Sequence, residues 1–308
     1  MAKSNRLRFL IAFLVAWPLL VFGLEPVRVA PNVYAFIGDG GEVSPANLGF
    51  VGNAGFIVGD EGVVVVDTGI SYRFAGEMVA AIGRVSRKPI RLAILTHAAQ
   101  EFIFGAALFQ EHGIPVLAHR KSAELMRARC ENCLKNLRGI LGEDSMQGST
   151  VVIPDRQITD SKTLTVGGRI IDLLYYGWGS TPGDLVVFDR ESGVAFAGGL
   201  VSIGRVPDLH DGDFKGWLSA LDQLSALPAT HIVPGFGPPV LPADIRKTRQ
   251  YLTALNAAVR TQYRKGTSLM DVPLHTPLPL FENWKQYSSL HPRNVQQIFL
   301  QLEKKEFN

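Results

Sequence analysis

The sequence predicts a layered α/β protein. Short β-rich runs alternate with helical patterns along its 308 residues, the order that builds sheets covered by helices. The run VVVV in GVVVVDTG is apolar at successive positions, which suits a strand covered on both faces. Residues 213–227 carry Trp217, Leu218, Leu221 and Leu224 at the three- and four-residue spacing of a helix with one buried face. With 46% hydrophobic and 19% charged residues, the chain can bury a substantial core and is not a disordered polymer.

Taken in order, NLGFVGNAGFIVG and GVVVVDTG are β-rich and separated by the turn signal Asp60-Glu61-Gly62. A helix is predicted over residues 74–85, then a buried strand in RLAILTH. A helix over residues 104–111, a strand in IPVLAH and a longer helix over residues 122–141 complete the first half. The second half has a similar plan. It opens on the β runs of VVIPDRQITDSKTLTVGGRIIDLLYYG. Two strands follow in DLVVFDRESGVAFAGG around a Ser192-Gly193 turn, then the helix of residues 213–227 and a short strand in ATHIVPGFGP. Residues 243–265 and 293–305 are read as helices joined by a Pro-rich stretch.

The N-terminus has the layout of a secretory signal peptide. Lys3, Arg6 and Arg8 precede an apolar run from Phe9 to Phe22, and Val21 and Gly23 suit a small-residue cleavage rule. The run is short for a spanning helix, so cleavage is favoured over an anchor. The expected boundaries are residues 1–23 for the signal, 24–242 for a main domain and 243–308 for a C-terminal helical extension. Removing the three cations of the signal takes the net charge of +3 to neutrality. With no dense basic stripe interleaved with aromatics, nucleic acid is not an expected partner, nor is a membrane beyond the signal segment.

Cys130 and Cys133, spaced CENC, are the two cysteines of the chain. In an exported protein they can form a disulfide, and on a helix they share a face. A local staple is the favoured reading, a redox-active pair the sharper one. Zinc would need about two more ligands.

The order of GFIVGDEGVVVVDTG, LAILTH, STPGDLVVF, VAFAGGLVSIGRVP and IVPGFG resembles the metallo-β-lactamase fold superfamily over roughly residues 28–240. Within it the chain looks most like the exported quinoprotein relay system zinc metallohydrolases, a likeness that GWLSALDQL and the C-terminal ENWKQYSSLHPRNVQQIFLQLE also carry. The resemblance implies an αββα four-layer sandwich with a C-terminal helical extension. It also implies a zinc site built from a T-H-x-H-x-D-H loop, a later His before TPGD, an Asp ending the FAGD strand and a His in PGHG. In such sites the metal lowers the pKa of a bound water to make a nucleophile.

This chain departs from that pattern at most ligand positions. The first His is kept as His97, but the second falls on Ala99 and the third on Phe102. The loop Asp becomes Glu101, still a carboxylate. The later His falls on Ser180, the bridging Asp on Gly199 and the last His on Phe236. Framing residues persist, among them Thr96, Gly105, Thr181-Pro182-Gly183-Asp184, Phe196-Ala197-Gly198 and Pro234-Gly235. A kept scaffold around lost ligands is the pattern of a pseudoenzyme, for which no cofactor is expected.

The expected function is therefore an exported, non-catalytic protein that binds a small ligand or a periplasmic partner. The alternative is a zinc hydrolase with a rearranged, mononuclear site. In it His97 and Glu101 would be the catalytic candidates, joined by a recruited His119 or His210. Asp67 is expected to be structural, bonding backbone near Thr68-Gly69. Ser180 lacks the frame of a nucleophile elbow. Gly38-Asp39-Gly40-Gly41 lacks the ending of a phosphate loop. Trp178 is the tryptophan expected nearest the degraded site.

Overall fold

The computed structural model describes residues 23–306, and the expected signal segment lies almost wholly outside them. A seven-stranded sheet takes up the first half. It contains β1 (Val27–Ala30), β2 (Val33–Phe36), β3 (Ala54–Val58), β4 (Val63–Val66), β5 (Ile90–Ile94), β6 (Val116–His119) and β7 (Arg156–Ile158), paired in that order. Pairing is antiparallel from β1 to β4 and parallel from β4 to β7. The second sheet runs β12-β11-β10-β9-β8, built from β8 (Lys162–Val166), β9 (Arg169–Leu174), β10 (Val186–Asp189), β11 (Val194–Ser202) and β12 (His231–Phe236). Only β11 and β12 pair in parallel there.

The Val63–Val66 run shows why the sequence reads as it does. All four valines are buried, but successive side chains point to opposite faces. Val64 and Val66 meet Phe196, Val187 and Val233 of the second sheet. Val63 and Val65 join the helix-covered core on the other side. The helices of that outer layer are α1 (Tyr72–Val85), α2 (Gln100–Ile103), α3 (Ala106–Glu111) and α4 (Arg120–Leu141). The opposite outer layer holds α5 (Phe214–Ser225), α6 (Arg246–Arg264) and α7 (Tyr287–Glu306), whose apolar faces share one core with the second sheet. The architecture is the expected four-layer αββα sandwich, and the C-terminal helices are part of its outer layer.

Local chemistry sets the element ends. Ser71 caps α1 by accepting the Phe74 amide at 3.1 Å, and Asp213 caps α5 by accepting the Gly216 amide at 2.7 Å. Among the described residues no helix is long and apolar enough to cross a membrane.

Three elements differ from expectation. The run NLGFVGNAGFIVG is a strand only from Ala54. A 3₁₀ turn over Pro45–Asn47 leads into it and continues through left-handed Leu48 and Gly49. The predicted helix over residues 104–111 begins only at Ala106, as α3, after Gly105, which lies so close to Thr68 that an added Cβ would stand 2.0 Å from its carbonyl oxygen. The β runs of the second half divide between the sheets: β7 joins β6 of the first sheet, while β8 and β9 build the second.

Candidate functional site

The loops after β5, β11 and β12 meet at one end of the sandwich, outside the carboxyl ends of parallel strands, where open α/β sheets place their ligands. Between them lies a cleft of about 240 Å³. Its wall includes six of the seven ligand positions, His97, Ala99, Glu101, Ser180, Gly199 and Phe236. The seventh, Phe102, is fully buried against two of them.

His97 sits at the end of a buried polar relay. Its Nδ1 is 2.8 Å from Thr96 Oγ1, which is 2.8 Å from Asp67 Oδ2, and the Thr96 amide donates to Asp67 Oδ1 at 2.8 Å. Asp67 therefore bonds Thr96 rather than the expected backbone near Thr68-Gly69. Burial pushes the Asp67 carboxyl up to about 7 and the His97 imidazole down to about 3, so the imidazole is neutral at any ordinary pH. Glu101 is raised by burial, with Arg205 opposing. Among the described residues no hydrogen bond joins its carboxylate to His97, whose Nδ1 is turned to Thr96.

The remaining positions are filled by groups that do not bind metal. The Phe102 ring lies 4.4 Å from the His97 ring and 5.3 Å, edge-on, from Phe236. Ser180 donates to Asp184 at 2.8 Å, and Asp184 also accepts the Thr181 amide at 2.9 Å; burial raises its carboxyl to about 6. Gly199 is the most telling position. A Cβ there would stand 2.4 Å from Ser180 Oγ and 2.9 Å from His97 Nε2. Any side chain at this position would have to displace the Ser180 hydroxyl or the edge of the His97 ring.

The expected recruits do not complete a metal site. His119 is occupied elsewhere: Nε2 bonds the Thr159 carbonyl at 2.9 Å, Nδ1 accepts the Lys121 amide at the start of α4, and the ring stacks on Tyr175. His210 does reach the rim of the cleft, from an exposed position. Among the described residues no three His, Cys, Asp or Glu side chains converge as a metal would require. The donor set therefore does not fit the zinc that the fold family implies, since a catalytic zinc takes three protein ligands.

Cys130 and Cys133 stand as free thiols, a correction to the expected disulfide. The two thiols act on each other, which raises Cys130 and favours thiolate character on Cys133. One turn of α4 places Cys133 in the cleft wall, an arrangement the CENC spacing alone could not orient. Trp178 is a second correction. Its indole donates to the Asp211 carbonyl on an exposed neighbouring groove, and Trp217 lines the cleft instead. Sequence reasoning also missed Arg205. The signal was a lone cation in GRVP, directly after an apolar strand.

The chain matches the family model of the metallo-beta-lactamase superfamily over residues 48–235 and belongs to that superfamily. A linear primary-alkylsulfatase from Pseudomonas sp. (strain ATCC 19151) is 24% identical over 257 residues, covering 71% of this chain and 48% of that protein. The chain thus spans about half the length of that relative. Among solved structures, a metallo-beta-lactamase from Pontibacter korlensis aligns with a TM-score of 0.62 at 21% identity, over 75% of this chain and 99% of that one. At that identity the likeness concerns the fold alone.

Proposed function

We propose that this chain is a non-catalytic member of its superfamily that uses the former metal cleft to bind a ligand or partner. The observation that carries the reading is Gly199, where even an added Cβ would crowd Ser180 Oγ and the His97 ring. The Phe102–Phe236 pair supports it by filling two histidine positions with rings. Export to the periplasm rests on the signal-like N-terminus. A link to quinoprotein oxidation rests on the resemblance to the relay-system group and on nothing in the cleft.

A second reading, a hydrolase with a mononuclear site, draws on His97, Glu101 and His210 lining one cleft and on the sulfatase relative. Metal content and turnover separate the two. The mature protein, purified without chelator from zinc-supplemented cells, is expected to carry less than about a tenth of an equivalent of zinc, since two ligands rarely hold it. It is expected not to hydrolyse an alkyl sulfate, a thioester or a lactam. Near one equivalent of zinc together with hydrolysis abolished by His97→Ala would establish the second reading and end the first.

A further inference from the structure

Arg205 is 5% exposed and lies in the wall of the cleft. A buried guanidinium is costly unless its charge is paired and its donors are satisfied. Here its Nε has no hydrogen-bond partner among the described residues. The nearby carboxylates of Glu101, Asp208 and Asp39 act on it through space, and two of them have hydrogen bonds of their own. Asp39 accepts from the Gly41 amide and from Asn47 Nδ2. Asp208 accepts the His210 amide. Among the described residues, Glu101 and Arg205 act on each other through charge, with no ion-pair contact between them.

The guanidinium is nonetheless held firmly. Its Cζ stands 3.6 Å from the centre of the Phe236 ring, a cation–π platform made by the residue that replaced the last histidine. The Arg205 carbonyl accepts from Ser202 Oγ at 2.8 Å, and the next amide, Val206, donates to the Lys285 carbonyl at 3.0 Å. Side chain and backbone are therefore set in place with hydrogen-bonding capacity left over, the arrangement of a preorganised anion receptor.

We infer that the cleft binds a small organic monoanion whose oxyanion head is held by Arg205 on the Phe236 face. The inference rests on the cleft being a binding site, and names what it binds. The apolar stretches of Ala98, Pro207 and Trp217 in the same wall favour an organic body over an inorganic ion. Glu101 and Asp208 also face the cleft and disfavour a second negative charge on the ligand, while Asp211 is neutralised by its ion pair with Arg129. The cleft volume of about 240 Å³ limits the ligand to metabolite size.

Calorimetric titration of the full chain with hexanoate, hexyl sulfate, hexanamide and hexylamine tests this. Hexanoate or hexyl sulfate is expected to bind at least tenfold more tightly than hexanamide and hexylamine. The stronger of the two acids identifies the head as carboxylate or sulfate ester. Arg205→Met is expected to lose that preference while raising the ligand-free melting temperature, because an unpaired buried cation has been removed. Arg205→Lys keeps the charge without the planar fork and is expected to fall between them. Phe236→Leu, which keeps the cation and removes its platform, is expected to weaken the acid several-fold. Equal binding of acid and amide, no binding of any probe, or unchanged acid affinity in Arg205→Met would overturn the inference. Turnover of hexyl sulfate with the preference intact would instead end the non-catalytic reading and leave the role of Arg205 standing.

Discussion

Adding one methyl group at residue 199 tests whether the old metal position has been closed. A Cβ there meets Ser180 Oγ at 2.4 Å, His97 Cδ2 at 2.8 Å and His97 Nε2 at 2.9 Å, where ordinary contact begins near 3.4 Å. Something must move by up to about 1 Å, and neither neighbour is free to do so. Ser180 is bonded to Asp184, while His97 is held by Thr96 and pressed by Phe102. Overpacking of this kind costs about 1–3 kcal/mol. The smaller entropy of the unfolded Ala chain returns about 0.4–1 kcal/mol, leaving a net loss of about 1–2 kcal/mol for Gly199→Ala. For a protein of this size that is a fall of about 2–8 °C in melting temperature. Urea unfolding is the assay: the midpoint should drop with an unchanged slope. In a Ser180→Ala background the nearest obstruction is gone, so the cost of Gly199→Ala should shrink by about 1 kcal/mol, a coupling visible in a double-mutant cycle. A neutral or stabilising Gly199→Ala in both backgrounds would refute the argument, for it would mean that an acidic ligand still has room. Restoration of Gly199→Asp stability by added zinc would refute it more directly.

The aromatic filling and the buried histidine give two further expectations. Phe102→Ala removes a fully buried ring that touches His97 and Phe236, and should cost about 3–5 kcal/mol by chemical denaturation; a loss below about 1 kcal/mol would mean the rings do not brace the site. His97 binds its proton near 3 when folded against 6.5 when free, so the unfolded chain takes up the extra proton and stability falls as pH drops from about 6.5 towards 3. Asp67 and Asp184 act with the opposite sign: raised to about 7 and about 6, their contribution is complete below the free value of 3.8 and is lost as pH rises through 6 to 7. His97→Gln should therefore narrow its stability gap to the parent by about 3 kcal/mol between pH 8 and pH 4, and parallel pH profiles would disprove the neutral imidazole.

Much of the fold was legible because it depends on local pattern. Val63–Val66 had to be a strand covered twice, since four successive apolar side chains project to both faces. Trp217, Leu221 and Leu224 had to share a helix face, and all three are buried on α5. The segments that the motif order singles out do line one cleft: His97, Glu101, Ser180, Gly199 and Phe236 come from separate parts of the chain, Gly199 and Phe236 near the ends of β11 and β12. The expected disulfide, by contrast, is absent, because spacing permits a bond and does not require one.

What the sequence by itself determined is chemical identity: which side chains at the ligand positions can donate to a metal and which cannot. Ala99, Gly199, Phe102 and Phe236 have no donor wherever the chain places them. Only the tertiary structure decided what took the place of the donors. His119 was diverted to a helix cap, Ser180 and His97 closed over Gly199, and Phe236 became a support for Arg205. Those outcomes depend on distances between segments far apart in the chain, and a distance of that kind is set by how layers pack and not by any residue's own preference.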